Sequence, residues 1–243
     1  MNNYNNGVIG GNADTDLGLK SFMLSTYRWM ALAMLTTATV AFLVGQAILA
    51  NPTLLGLVYN PVTAIATFLI IVFGFGAVGR KLPSMSMGGV LTFLFGFAAF
   101  MGVFMSAYAS VYDPMIVARI FFMTVAMFAG LSLFGYTTGF NLNSIIKYAA
   151  AAFFAYIAIG FLGMFFPALS VFGGGTFGMI INFVALAAIA VITAWETQTL
   201  KRIYYSIGGD QAMLAKYSAY GAASLLLAFI NMFTILMNLF GRE

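Results

Sequence analysis

Ile192–Tyr205 reads ITAWETQTLKRIYY, and it closes an uncharged run that extends from Tyr148 to Trp195. An acid, Glu196, follows that run directly, and the bases Lys201 and Arg202 come a turn and more later. Elsewhere the charges stand at the edges of apolar segments, whereas Glu196 lies on one. A charge held at mid-bilayer costs about 2.5–3.5 kcal/mol on insertion scales, so an acid kept on such a segment is a functional candidate.

The composition fixes the class. Of 243 residues, 63% are hydrophobic and 7% charged, with a mean hydropathy of +1.01. A soluble domain of this size needs a charged surface that this chain cannot supply. The expected fold class is therefore an all-α membrane protein. The net charge of +4 and pI near 9.3 come from ten bases dispersed along the chain. They form no patch, so they are read as membrane topology and not as a nucleic-acid surface. With no Cys and no His, disulfides, thiol nucleophiles, the usual zinc sites and Ser-His or Cys-His couples are excluded.

Residues 1–19, rich in Asn and Gly, offer no apolar face and are expected to form a disordered tail without a cleaved signal. Residues 20–243 are expected to form one seven-helix transmembrane domain. Its apolar runs lie at about 26–49, 62–80, 87–109, 115–136, 145–166, 177–199 and 218–240, each long enough to cross a ~30 Å hydrocarbon layer as a helix. All five prolines, at 52, 61, 83, 114 and 167, fall between these runs, where helix breakers belong. Asn51-Pro52 and Asn60-Pro61 bracket the first link, and Gly173–Gly175 mark the fifth.

Orientation is read from Lys and Arg. With the N-terminus inside, Lys20, Arg28, Arg80, Lys81, Lys147, Lys201, Arg202 and Lys216 fall at cytoplasmic ends, and only Arg119 and Arg242 fall outside. The chain is expected to run N-terminus in, C-terminus out. Trp29 and Trp195 sit at the inner ends, the headgroup level that indole rings prefer, so Glu196 is placed near the inner boundary of the bilayer. Ala151/Ala155 and Ala190/Ala194 have small-xxx-small spacing, and Gly74, Gly76 and Gly79 crowd the second run; both are read as close helix packing.

Enzyme signatures are absent. Intramembrane aspartyl cleavage needs two carboxylates sharing a proton, and Glu196 is alone within the runs. Gly208-Gly209-Asp210 is no phosphate loop, because no Lys-Ser/Thr follows it on a helix. No catalytic residue, cofactor or resident metal site is expected. Three roles stay open for Glu196: a fastener paired with a base, an interfacial acid without a role, or a titratable gate or ion site. Burial and a nearby base pull a carboxyl group in opposite directions, so a balanced one responds to pH. Arg80 and Lys81 are the leading partners by depth. Asn231 and Asn238, two turns apart in the last run, share a face, with Ala228 one turn before Asn231 expected to face the same way. They are read as interhelical glue or as a polar lining.

Four stretches, KSFMLSTY (Lys20–Tyr27), LSLFGYTT (Leu131–Thr138), AWETQTLKRIYY (Ala194–Tyr205) and LLLAFINMFTILMNLF (Leu225–Phe240), together resemble the Bax inhibitor-1 (transmembrane Bax inhibitor motif) family, above all its bacterial members. The resemblance implies six helices wrapped around a central seventh. It also implies a calcium leak controlled by pH through a carboxylate pair on the sixth and seventh helices, latched by a base at the inner end of the second. Some bacterial relatives restrain a membrane-anchored ATP-dependent protease of the FtsH type, and eukaryotic relatives are linked to suppression of cell death. The sixth-helix acid of the family's YDTQ-like run matches Glu196 in WETQ. The seventh-helix acid of YLDFIN matches Ala228 in LLAFIN, so that carboxylate is missing. The latch base matches Arg80.

The expectation is a multi-pass protein of a bacterial inner (plasma) membrane, acting as a pH-sensitive cation (calcium-like) leak. Glu196 is its titrating group, Arg80 or Lys81 the counter-charge and Asn231 a secondary lining. The alternative is a non-conducting partner of a membrane protease or another membrane complex.

Overall fold

The computed structural model describes residues 6–166 and 175–241. Residues 1–5 of the expected tail, Pro167, Gly173 and Arg242 lie outside them. The chain folds into α1 (Asn6–Ala50), α2 (Thr53–Val58), α3 (Pro61–Lys81), α4 (Met87–Val111), α5 (Pro114–Thr137), α6 (Ile146–Phe165), α7 (Thr176–Ile207) and α8 (Gln211–Phe240), with single 3₁₀ turns at Leu82–Ser84 and Leu142–Ser144. Among the described residues there is no strand. Among the described residues seven helices, all but α2, are long and apolar enough to cross a membrane.

The links are built from the residues that signal them. Asn60 accepts hydrogen bonds from the amides of Val62 and Thr63, while the Thr63 hydroxyl accepts from the Asn60 amide. This reciprocal cap, with Pro61 at the first helical position, starts α3. Ser86, Asp113 and Asp210 cap α4, α5 and α8 more simply, each accepting one backbone amide of the first turn. Gly208 (φ 65°) and Gly209 (φ 93°) take left-handed conformations that a side chain would oppose. They reverse the chain so that α8 runs antiparallel to α7.

Helix ends differ from the apolar runs in an instructive way. The first span begins at Leu17, α7 continues to Ile207, and α8 starts at Gln211, each well outside its run. Polar residues at these ends keep the helix going beyond the hydrocarbon, where hydropathy no longer registers it. Helix α1 itself starts at Asn6, so it reaches back into the expected tail. Leu19 is buried, and Gly18 lies against Tyr204 so closely that a Cβ would overlap its hydroxyl. The short helix α2 fills the Pro52–Pro61 link.

Helix α8 occupies the centre. Most of it between Tyr220 and Asn238 is buried, and it packs on α1, α4, α5 and α7. Helices α3 and α6 reach it through side chains: the Tyr220 hydroxyl donates to the Phe75 carbonyl at 3.2 Å, and Asn238 Nδ2 donates to the Tyr156 hydroxyl at 3.4 Å. Six helices therefore surround the seventh. Close approach depends on small residues, though only partly on the expected ones. A methyl at Gly135 of α5 would overlap the Ala194 carbonyl of α7, and one at Gly102 of α4 would sit 2.7 Å from the Thr37 carbonyl of α1. Ala151 and Ala155, by contrast, are exposed; their spacing marks no packing seam, because α6 turns that face away from its neighbours.

Candidate functional site on the central helix

Glu196 stands on α7 five residues before Lys201, about 7.5 Å along the axis. Its neighbour Trp195 donates from Nε1 to Asn143 Oδ1 at 2.7 Å, and Gln198 ties the α5–α6 link to the same end of α7 by donating to the Phe140 carbonyl. Glu196 itself turns towards α8. Ser224 Oγ donates to its Oε1 at 2.8 Å. Its Oε2 is buried with no hydrogen-bond partner among the described residues. An enclosed carboxyl oxygen without a donor is rare and costly, and calls for a ligand, a water or a proton. The Tyr220 hydroxyl, one turn before Ser224, is near enough to interact electrostatically with Glu196.

The expected counter-charges do not come to it. Arg80 is exposed and folds back on its own helix, its Nε donating to the Gly76 carbonyl at 3.1 Å; Lys81 is exposed too. Other bases at this end are also engaged: Lys201 Nζ with the Tyr136 carbonyl, Arg202 with the Thr199 hydroxyl, Lys216 Nζ with the Pro83 carbonyl. The physical reason is local. Lys201 and Lys216 meet carbonyls at the ends of neighbouring elements, which lack intrahelical donors and which a cation satisfies.

The sequence missed the other half of the site. Between Tyr220 and Asn238 every residue of α8 is buried except Tyr220, Ser224, Leu227, Asn231, Thr234 and Asn238. These alternate by four and three residues, so they form one face, and all but Leu227 are polar. The face is about 27 Å long, close to the ~30 Å of a hydrocarbon core. Asn231 thus lies on it as expected. Ala228 does not: it is buried on the apolar side, because helical rotation carries it to the flank of Asn231 opposite the one that Leu227 and Thr234 occupy.

At the far end a second polar group closes the stripe. Asn238 donates to Tyr156, whose hydroxyl donates to Asn182 Oδ1 at 3.3 Å, and Asn182 Nδ2 donates to the Gly178 carbonyl. Thr234 lies beside the Tyr108 hydroxyl. Asn182 is fourteen residues before Glu196, and Asn238 is fourteen after Ser224, so the two polar levels are about 21 Å apart along both helices. That matched spacing was the readable signal. Beside Glu196, Thr197 joins a separate chain of hydroxyls, with Ser132 2.9 Å from it and Tyr27 2.5 Å from Ser132, which fastens α1, α5 and α7 together.

Cavities among the described residues lie elsewhere. One of about 190 Å³ is apolar and includes Met34, Met105, Phe121 and Ile230; the other, about 260 Å³, lies at the basic end and includes Ser25, Tyr204 and Ser218. Among the described residues no three His, Cys, Asp or Glu side chains converge. A divalent cation at Glu196 would meet one carboxylate and neutral oxygens.

The architecture and this stripe define a multi-pass α-helical membrane protein whose central helix carries a polar face served by one buried carboxyl group. The chain belongs to the Bax inhibitor-1 family: the model of the family described as "Inhibitor of apoptosis-promoting Bax1" matches residues 19–243. It is 30% identical over 228 residues to the inner membrane protein YbhL of Escherichia coli K12, covering 93% of each chain. A protein of Caulobacter vibrioides is 29% identical over 259 residues, covering 99% of this chain and 98% of the other. YrjE of Lactococcus lactis is 29% identical over 242 residues, with 98% and 97% covered.

Proposed function

We propose that the protein is a pH-sensitive cation leak of a bacterial plasma membrane, calcium being the reference ion, with the polar face of α8 as its path and Glu196 as its titrating group. The observation that carries this reading is the buried, donor-free Oε2 of Glu196, set against the mostly polar, partly exposed face of the central helix between Tyr220 and Asn238. A string of hydroxyl and amide oxygens nearly as long as the hydrocarbon layer offers partial replacement for an ion's hydration shell. One carboxylate adds charge. Hard divalent cations want several oxygens, so weak, transient occupancy is expected, which suits a leak better than storage. Arg80 and Lys81 are not the counter-charges in this arrangement. Tyr220 of α8 is the titratable side chain that faces Glu196, and Ser224 takes the place of a second acid. The N-terminus is assigned to the cytoplasm from the eight bases at one end, and the protein to the inner membrane by analogy with YbhL.

Proteoliposomes loaded with a calcium indicator test the reading. An ionised carboxylate attracts a cation and a protonated one does not, so flux should rise with pH and Glu196→Gln should flatten the profile. Absence of flux at every pH would defeat the leak and favour the second reading, a non-conducting modulator of a membrane-anchored protease of the FtsH type. That reading is favoured by the absence of a second carboxylate at Ala228, and co-purification from native membranes tests it.

A further inference from the structure

We infer that Leu227 is a hydrophobic constriction that divides the polar face of α8 into two compartments with separate access to water. The inference rests on the conduction path proposed above and deepens it by naming what holds the path shut. Between Tyr220 and Asn238, Leu227 is the one apolar side chain among the six that are left partly exposed. It stands one turn from Ser224 and one turn from Asn231, between the level of Glu196 and the level of Asn182. Facing helix α7 supplies no polar bridge across this gap. From Phe183 to Trp195 its only hydroxyl is that of Thr193, and Thr193 donates back to the Ile189 carbonyl at 2.7 Å. Ile189 itself is fully buried.

Chemistry differs on the two sides. Below Leu227 lie a carboxyl group, a serine hydroxyl and the Tyr220 phenol, all hydrogen-bonding or titratable. Above it lie two asparagine amides, Thr234 and the Tyr156–Asn182 pair, all neutral. A narrow apolar ring between two polar stretches excludes water until it widens, and an ion that must stay partly hydrated is stopped with it. A single leucine therefore sets the resting state.

The chain has no native cysteine, so single cysteines can report water access without background. Asn231→Cys and Ser224→Cys are reconstituted and treated from each side with a membrane-impermeant thiol reagent, and calcium flux is measured on the same vesicles. With Leu227 present, Ser224→Cys should label from the basic end and Asn231→Cys only from the opposite end. Adding Leu227→Ser should raise labelling of Asn231→Cys from the basic end by roughly tenfold or more, as a removed dewetting barrier requires. Leu227→Phe, which keeps the site apolar, should leave it low and guards against a folding defect in the serine variant. Asn231→Cys labelling equally from both ends with Leu227 in place would overturn the constriction, and so would an unchanged rate in Leu227→Ser. Should labelling open while no variant passes calcium, the barrier stands and the leak falls. Should the parent show pH-dependent flux while labelling ignores Leu227, the leak stands and the barrier falls.

Discussion

Helices α3 and α8 are alike as sequences and opposite as parts of the molecule. Each spans a membrane by length, and α3 is at least as apolar as α8 by composition. Yet α3 has no buried residue, while α8 is the most buried helix of the bundle. In lipid, hydropathy does not sort helices into core and rim, because hydrocarbon tails are as apolar as Leu; small residues and polar contacts do that. Helix α8 has Gly221, Ala222 and Ala223 in its first half and is drawn in closely, Gly221 packing on Leu200. Helix α3 is held by an aromatic cluster, Phe75 with Phe93, Phe97 and Tyr220, by the edge-on contact of Phe68 with Phe161 of α6, and by the Tyr220–Phe75 hydrogen bond.

This contrast can be broken by mutation. Thermal or denaturant unfolding in micelles should show Leu225→Ala, fully buried on α8, losing about 2–5 kcal/mol through the cavity it leaves. Ile70→Ala, exposed on α3, should stay within about 0.5 kcal/mol; equal losses would mean that α3 is packed in solution as α8 is. A smaller effect separates the glycines. Gly135→Ala forces a methyl into the Ala194 carbonyl and should cost about 1–3 kcal/mol, whereas Gly76→Ala on α3 meets nothing within 4 Å and should be neutral or stabilise by up to ~1 kcal/mol. Next comes Tyr220→Phe, which deletes the α8–α3 hydrogen bond. Its cost should be about 0.5–1.5 kcal/mol, and hydrogen exchange should speed up in α3 and not in α1. Uniform exchange would remove Tyr220 as the fastener.

The smallest effect lies outside the spans. Tyr59, between α2 and α3, accepts a hydrogen bond from the Ala107 amide, and burial pushes its hydroxyl up to about 12. The folded protein therefore holds this proton more tightly than the unfolded chain, whose phenol titrates near 10. The stability so gained is complete below about pH 10 and fades as pH rises towards 12. Tyr59→Phe should show a shallower alkaline loss in melting temperature; an identical slope would mean that this hydroxyl is already in water.

Much of the site was legible in residues that break the apolar pattern. Glu196 is the single acid in an apolar run, and Asn231 and Asn238 repeat at seven residues on the last helix. Ser224 continues the same repeat, but a serine in a membrane helix ordinarily bonds to its own backbone and draws no notice. The sequence points Glu196 to Arg80 or Lys81 by depth alone. Depth ranks partners along the bilayer normal and says nothing about rotation around a helix, which is why Arg80 bonds the Gly76 carbonyl of its own helix and Lys81 stays exposed.

Amino-acid order alone settled that this chain lives in a membrane, that it crosses seven times, and where its helices break, since these follow from segment length, hydropathy and the chemistry of Pro, Asn and Gly. Tertiary structure decided which helix stands in the middle, which face of it stays open, and that one carboxyl oxygen is left there without a donor. Those outcomes depend on how closely backbones approach and how each helix is rotated, and both are fixed by side chains that lie far apart in the chain and meet only when it is folded.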